Sequence, residues 1–202
     1  MSLRKRLRGW LDFETTGFAD LHKKAIYNHK ILEMALVVTD HDFNEIARLN
    51  LIVKHRMEDV LPLCDDAVLQ MHRRNGLFED VAVAHLTLEE AERAAIKFLI
   101  DNGISEKGSP LTGNGIHFDR KFMEVHMPLL NEHFHYRNMD VSGVKEFINT
   151  LVPGLEPPKV RSHRAMDDIL ESIEEAKFYR KILLPGLLDA KKMKQLDEAL
   201  QP

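Results

Sequence analysis

The stretch GWLDFETTG at positions 9–17 limits the possible folds of this sequence more than any other segment. Its apolar residues and its Thr-Thr-Gly end predict a short buried strand, on which side chains two residues apart point to the same face. Asp12 and Glu14 therefore project together, while Leu11 and Phe13 point the other way, into a core. The strand thus holds two carboxylates side by side.

Two adjacent carboxylates repel each other, and both stay ionised at low cost only when a cation lies between them. Mg²⁺ and Mn²⁺ prefer oxygen ligands of this kind. For an isolated Asp-x-Glu pair, however, the simpler interpretation is a solvated strand end with two acids. A metal site therefore requires further acids from elsewhere in the chain.

The composition is that of an ordinary globular protein. The chain has 202 residues, of which 44% are hydrophobic, and we expect one main domain. Its single cysteine, Cys64, excludes a disulfide framework and a cysteine-rich zinc site. No run approaches the roughly 18 apolar residues of a membrane span, and the basic start lacks the apolar segment of a signal peptide. We therefore expect a cytoplasmic protein with no membrane partner.

The charge balance restricts the kind of nucleic acid that the chain could bind. The formal net charge is −4 and the pI is about 6.3, which does not suit a protein that coats long nucleic acid by neutralising phosphates. A nucleic-acid substrate should be short or held locally.

Strands and helices are expected to alternate after the first strand. Strands at 31–39 and 46–53 would complete an antiparallel meander, and a short helix within 61–76 should end at Asn75-Gly76. Thr87 and Glu90 form a capping box that predicts a helix. The later elements are expected to be a strand at 110–115, a helix from about 116, a strand at 136–141, a helix at 142–151 and a last major helix opened by residues 161–168.

Glu33 is a charged residue inside an otherwise apolar predicted strand. The favoured interpretation is an edge residue in contact with water, and the alternative is a partner of the acid site.

Further acids and a histidine complete a candidate catalytic set. Asp119 is expected in the first turn of the helix after Gly113-x-Gly115, whose glycines permit close backbone approach. His163 lies five residues before Asp168, on a loop that would let it swing over the site as a base. Two-metal phosphoryl transfer needs such carboxylates from several elements around ions about 3.5–4 Å apart. Asp167 competes with Asp168 as a ligand, and periodicity alone does not decide between them.

The pattern D-x-E, a later D and H-x₄-D resembles the DEDDh 3′-to-5′ exonucleases, which have a ribonuclease H-like fold. The closer resemblance is to the oligoribonuclease family, and it covers about residues 7–184. It rests on the segments WLDFE at 10–14, GNGI at 113–116, FHYR at 134–137, DVS at 140–142 and HRAMDDI at 163–169.

This resemblance implies an α/β fold, with a central mixed β-sheet flanked by α-helices. It implies a single exonuclease domain over residues 1–184 and a helical or loosely ordered tail at 185–202. The expected activity is the two-metal-ion degradation of short single-stranded oligoribonucleotides from the 3′ end to nucleoside 5′-monophosphates, by a cytoplasmic homodimer.

The resemblance also assigns the catalytic residues. It places Asp168 rather than Asp167 at the metal, so that Asp12, Glu14, Asp119 and Asp168 hold two Mg²⁺ or Mn²⁺ ions. His163 is then the general base.

Several substrate-binding residues are implied in the same way. His72 matches a base-stacking histidine, and Tyr136 matches a tyrosine offered across the dimer. The family's cap on the terminal phosphate is matched by Arg137, Ser142 and Lys145. Together they would supply an aromatic face, cations and a hydroxyl.

The chain departs from the family at other substrate positions. Phe18 stands where a leucine wedge is typical, and Gly115, beside the predicted substrate-binding Asn114, stands where a cap serine is expected. A hydrogen bond from a serine hydroxyl to the charged phosphate would contribute about 1.5–3 kcal/mol. Because Gly115 has no hydroxyl, we expect a weaker preference for dinucleotides.

Two alternatives compete with this interpretation. Thr15-Thr16 resembles the proofreading exonucleases and ribonuclease T, which favours single-stranded DNA or longer RNA 3′ ends as substrates. A catalytically inactive nucleic-acid-binding module is disfavoured, because all five chemical positions carry competent residues.

Overall fold

The computed structural model describes residues 7–17, 28–158 and 163–199 of the chain, with side chains described through residue 192. One sheet is formed by the strands β1 (Arg8–Thr15), β2 (Ile31–Thr39), β3 (Glu45–Ile52), β4 (Pro110–Gly113) and β5 (His135–Asp140). Their order across the sheet is β3-β2-β1-β4-β5. The first three strands pair antiparallel, whereas β4 pairs parallel with β1 and with β5. The sheet is therefore mixed, and the meander expected in the first third is confirmed.

Helices pack against both faces of this sheet. They are α1 (Met57–Val60), α2 (Asp66–Arg74), α3 (Leu77–Val83), α4 (Leu88–Asp101), α5 (His117–His126), α6 (Pro128–His133), α7 (Val141–Leu151) and α8 (Ala165–Ala199), with a 3₁₀ turn at Leu61–Leu63. The capping box at the start of α4 is confirmed, since Glu90 N donates to Thr87 Oγ1 (3.2 Å) and Thr87 N donates to Glu90 Oε2 (2.8 Å).

The single short helix expected within 61–76 is wrong in its extent. Asp65 starts α2 by accepting a hydrogen bond from Val68 N (2.9 Å), so the 3₁₀ turn before it is a separate element. The predicted stop at Asn75-Gly76 does end α2, and Gly76, with φ +77°, reverses the chain directly into α3.

Alternation along β1 divides its side chains between two cores. Leu11 and Phe13 pack with residues of α4 and α5 on one face, as predicted. Trp10 packs on the other face with Ile169 and Ile173 of α8. Because side chains two apart share a face, this second packing brings the start of α8 over the same face as Asp12 and Glu14.

Gly113 ends β4 at a point where the chain passes close to β1 and to Ile116, the residue before α5. A Cβ at this position would lie 2.9 Å from the backbone oxygen of Leu11 and 2.8 Å from Ile116 Cδ1. Only glycine fits such a close approach, and the predicted reason for a glycine here is confirmed.

The helix α8 continues through Pro185 to Ala199. The proposed domain limits of 1–184 and 185–202 stay a prediction. Among the described helices, none combines the length and the apolar character that crossing a membrane requires.

Candidate active site

Three of the four predicted acids meet at one end of the sheet. Asp12 and Glu14 from β1 and Asp168 from α8 each offer a carboxylate oxygen, and these oxygens all lie within 4.8 Å of one another. Glu14 is only 7% exposed, and the other two are half-buried. Asp167 is exposed and is not part of this cluster. The geometry thus separates the two aspartates that periodicity could not.

Asp119 reaches the same region from the first turn of α5. Its Oδ1 accepts a hydrogen bond from Phe13 N (3.0 Å), beyond the short stretch in which β4 pairs with β1 at Gly9 and Trp10. The Asp119 carboxylate thereby accepts from a backbone N–H of β1 that has no partner on β4, because β4 ends before it. With Asp12 it borders a cleft of about 290 Å³, which is also lined by Asn114, Gly115 and Phe118.

Burial and mutual repulsion make these acids resist ionisation. Burial raises the pKa of Asp12 well above its usual value, and the charges of Asp119 and Glu14 add to this effect. Burial, and then the charge of Asp168, raises the pKa of Glu14 to about 9. Burial also raises the pKa of Asp119 to about 7 and that of Asp168 to about 6. The charges of Arg164 and His163 oppose these shifts for Glu14 and Asp168 but do not cancel them. Close oxygen donors with such raised pKa values fit a hard divalent cation.

His163 lies on the loop before α8, beside these acids. Its side chain is exposed, and its charge lowers the pKa of Asp168 against the larger effect of burial. The residue has φ +55°, a left-handed conformation that is uncommon for a residue with a Cβ. The predicted base is therefore next to the acid cluster and open to solvent.

His72 is enclosed rather than open. Its side chain is 0% exposed, Nε2 lies 3.0 Å from the backbone oxygen of Thr15 and 4.0 Å from Glu14 Oε2, and the ring meets Phe78 edge to face. Within the described part of the chain, its Nδ1 has no hydrogen-bond partner. The stacking role stays a prediction, and it requires the ring to become accessible.

Of the other predicted substrate-binding residues, Phe18 lies outside the described residues and Asn114 lines the cleft. Asn114 Nδ2 donates to Glu175 Oε2 (3.0 Å), and Tyr179 Oη donates to Glu175 Oε1 (3.0 Å). The amide of Asn114 is therefore held by a buried carboxylate of α8, a partner that the sequence did not reveal.

The predicted phosphate-cap residues surround the end of β5. Ser142 Oγ donates to Asp140 Oδ1 (2.6 Å), and the same oxygen accepts from Gly115 N (3.0 Å). Lys145 pairs with Glu156 (2.8 Å). A phosphate would have to displace such internal partners to engage the serine hydroxyl or the ammonium group.

Tyr136 and Arg137 lie on β5, at the edge of the sheet. Arg137 Nε donates to the Tyr136 hydroxyl (3.1 Å). Arg137 lies over the tyrosine ring, 5.5 Å from its centroid, and the His135 ring lies 4.3 Å away. The tyrosine is nevertheless 77% exposed, so its uncovered surface is available to a second molecule.

Glu33 corrects an expectation from the sequence. It is 1% exposed, and it lies on β2, an interior strand, rather than at a wet edge. Both of its oxygens accept from Arg164, at 3.0 and 3.1 Å. A charged residue within an apolar strand was the signal in the sequence that Glu33 has a buried partner. That this partner is Arg164 could be seen only in the fold.

Comparison with known proteins places the chain in a family. An exonuclease family model matches residues 10–176. A protein named probable oligoribonuclease from Dictyostelium discoideum is 42% identical over 88% of this chain and 90% of its own length. The oligoribonuclease of Neisseria meningitidis serogroup B is 38% identical over 87% of this chain and 91% of its own length. The chain belongs to the oligoribonuclease family of exonucleases. The family resemblance seen in the sequence is therefore confirmed.

A third relative of the family is named mitochondrial oligoribonuclease, from Mus musculus, and is 38% identical over 93% of this chain and 78% of its own length.

Solved structures show the same fold. Exonuclease I from Methylocaldum szegediense superimposes with a TM-score of 0.66 at 18% identity, over 87% of this chain and 40% of that one. A zinc-bound E. coli exonuclease I complex with single-stranded DNA gives 0.65 at 17% identity, over 98% and 46%. The chain spans less than half the length of these proteins. They confirm the ribonuclease H-like α/β fold, with its central mixed sheet.

The raised pKa values predict how stability depends on pH without added metal. Because folded Glu14 keeps its proton up to about pH 9, whereas an unfolded glutamate loses it near 4.3, the folded state binds more protons across this range. Its stability must therefore fall as pH rises. We expect Glu14→Gln to raise the metal-free unfolding temperature at pH 8.5 more than at pH 5, measured by calorimetry.

Mg²⁺ should stabilise the wild type more at pH 8.5 than at pH 5, because the ion binds ionised carboxylates. It should have little effect on Glu14→Gln. Equal responses to Mg²⁺ in the two proteins would contradict this account.

Proposed function

We propose that this chain is a two-metal-ion 3′-to-5′ exoribonuclease that degrades short oligoribonucleotides to nucleoside 5′-monophosphates. The observation that carries the proposal is the convergence of Asp12, Glu14 and Asp168 within 4.8 Å, in a chain of the oligoribonuclease family. Asp119 on the border of the same cleft supplies the fourth acid.

The four acids would hold the two ions, Mg²⁺ or Mn²⁺. Bound divalent ions of this kind make water a stronger nucleophile and stabilise charge on the reacting phosphate. The chain's contribution is to hold Asp12 and Glu14 on a rigid strand, to fix Asp119 through Phe13 N, and to deliver Asp168 on α8.

His163 is proposed to accept the proton of the attacking water. The water oxygen forms a bond to the 3′-terminal phosphorus while the bond between phosphorus and the 3′ oxygen of the preceding nucleotide breaks. That 3′ oxygen takes a proton from solvent, so the products are a nucleoside 5′-monophosphate and an RNA one nucleotide shorter. An exposed imidazole next to the acids suits this role.

The runner-up remains a proofreading-type or ribonuclease T-like exonuclease on single-stranded DNA or longer RNA 3′ ends. Its support is the Thr15-Thr16 pair and the DNA named with one structural neighbour. That neighbour is 17% identical to this chain, whereas the oligoribonucleases are 37–42% identical. The proposal therefore favours short RNA.

A homodimer would complete the substrate site if Tyr136 enters the cleft of a second subunit. Two observations support this arrangement. The Tyr136 side chain is exposed on the edge strand β5, and its hydroxyl accepts a hydrogen bond from Arg137, another predicted substrate-binding residue. The cytoplasmic location stays a prediction.

The two neighbouring aspartates of α8 give a matched test of the acid site. Asp168→Asn should reduce turnover to below about 1% of the wild type, because it removes one of the converging ligands. Asp167→Asn should retain nearly full turnover. The measurement follows the Mg²⁺-dependent shortening of a 5′-labelled pentaribonucleotide, which reports cleavage from the 3′ end, and detects the released nucleoside 5′-monophosphate separately by chromatography.

Full activity in Asp168→Asn would reject the proposed site. Cleavage of the matched DNA or of long RNA in preference to the pentaribonucleotide would favour the runner-up. A protein that binds RNA and releases no nucleotide would indicate a binding module.

Gly115 allows a test of length selection. The residue has φ +68°, and a Cβ there would meet nothing within 4 Å, so Ser and Ala carry the same backbone strain of about 1–2 kcal/mol. Only the serine can add a hydrogen bond to a terminal phosphate. Gly115→Ser should raise kcat/KM on a dinucleotide relative to a heptanucleotide by about tenfold, and Gly115→Ala should not.

The wild type should cleave dinucleotides with only a weak advantage over five- to seven-residue oligomers, because the cations Arg137 and Lys145 remain. Sedimentation should show a dimer. If the ratio of kcat/KM on the dinucleotide to kcat/KM on the heptanucleotide is the same for Gly115→Ser and Gly115→Ala, position 115 does not contact the terminal phosphate. A monomer that prefers the longer RNA would favour the runner-up.

A further inference from the structure

The backbone at His163 is held in an unusual conformation. Its φ of +55° lies in the left-handed region, which is disfavoured for a residue with a Cβ. Such a conformation persists when surrounding contacts over-determine it. The contacts of its carbonyl oxygen and of the next residue, Arg164, are therefore informative.

One contact comes from the joint between α2 and α3. Asn75 Nδ2 donates a hydrogen bond to the backbone oxygen of His163. The Oδ1 of the same amide accepts from Leu77 N (3.1 Å). This second hydrogen bond orients the amide so that its NH₂ group faces His163. The carbonyl of the proposed base is thus held by a side chain from a distant part of the sequence.

The second contact is made by the next residue. The Arg164 guanidinium donates to both oxygens of Glu33, to Asp80 Oδ2 (2.8 Å) and to the backbone oxygen of Asn75 (3.2 Å). It therefore links the loop before α8 to the sheet, to α3 and to the same joint that contacts His163.

Glu33 is a rigid anchor for this arginine. It is 1% exposed, and its oxygens also accept from Asn50 Nδ2 (2.9 Å) and from Ala165 N (3.3 Å). A bidentate, buried carboxylate pair of this kind is among the better oriented polar contacts in proteins. Neither Asn75 nor Arg164 belongs to the cluster of converging acids.

We propose that Asn75 and Arg164 are positioning residues that fix the backbone of His163, so that only its imidazole moves between solvent and the reacting water. The inference rests on the proposed function, because it assumes that His163 is the base. Without these contacts the loop would relax from its left-handed conformation and the imidazole would lose its approach to the site. Misplacing a catalytic group by about 1 Å can cost roughly a hundredfold in rate.

Asn75 is the better residue to change. Removing Arg164 would leave the Glu33 carboxylate buried without a cation, and the charge of Arg164 also lowers the pKa of Glu14. An effect on the acids would then be mixed with an effect on His163. Replacing Asn75 alters no charge when the substitute is alanine.

The test is a double-mutant cycle with a control for helix capping. Asn75→Ala should lower kcat on a short RNA by about 10- to 100-fold, with KM and the Mn²⁺ dissociation constant within about twofold of the wild type. Asn75→Asp keeps an acceptor for Leu77 N but cannot donate to His163, so it should lose at least as much activity. In the His163→Ala background, Asn75→Ala should cost nothing further.

The outcomes separate this inference from the proposed function. Wild-type kcat in His163→Ala removes the base and overturns this inference, whereas the proposed exonuclease activity stands. A wild-type protein that releases no nucleotide overturns both. If His163→Ala lowers kcat but Asn75→Ala has the same cost in both backgrounds, Asn75 acts elsewhere and the positioning role is overturned. Wild-type activity in Asn75→Asp would show that Asn75 only caps α3, and this result would also overturn the positioning role.

Discussion

The organisation of this molecule depends on the cost of placing several carboxylates close together in a buried site. Desolvation, followed by the charge of Asp168, raises the pKa of Glu14 to about 9, and desolvation raises that of Asp119 to about 7. A protein that only needed a stable fold would gain nothing from such an arrangement. Divalent cations remove both penalties, and the same charges then become useful for phosphoryl transfer.

The fold supplies rigid supports for each acid. The period of two along β1 sends Asp12 and Glu14 to one face while Leu11 and Phe13 anchor the strand from behind. Gly113 permits the close approach of β4 to β1 just before the helix whose Asp119 accepts from Phe13 N, and packing of α8 on the opposite face delivers Asp168. His163 needs a different kind of support, because it lies on a loop.

Local patterns predicted much of this structure, whereas the buried polar partners depended on long-range topology. The meander, the capping box at Thr87 and the paired acids of β1 each follow from a few neighbouring residues. Glu33 was expected at a wet edge although the predicted meander already places β2 between β1 and β3; its buried partner Arg164 lies 131 positions away in the sequence and is brought to it only by the fold. Spacing likewise could not distinguish Asp167 from Asp168, since only the packing of α8 decides which one faces the acids.

The most direct measurement of the central claim is the number of Mn²⁺ ions that bind to each chain, determined by calorimetry at pH 8 with a nucleoside 5′-monophosphate present. Two ions should bind to the wild type, fewer or none to Asp12→Asn, and two to Asp42→Asn. The last variant is a control, because Asp40, His41 and Asp42 form the other cluster of possible ligands among the described residues. Unchanged binding in Asp12→Asn, or its loss in Asp42→Asn, would contradict the account.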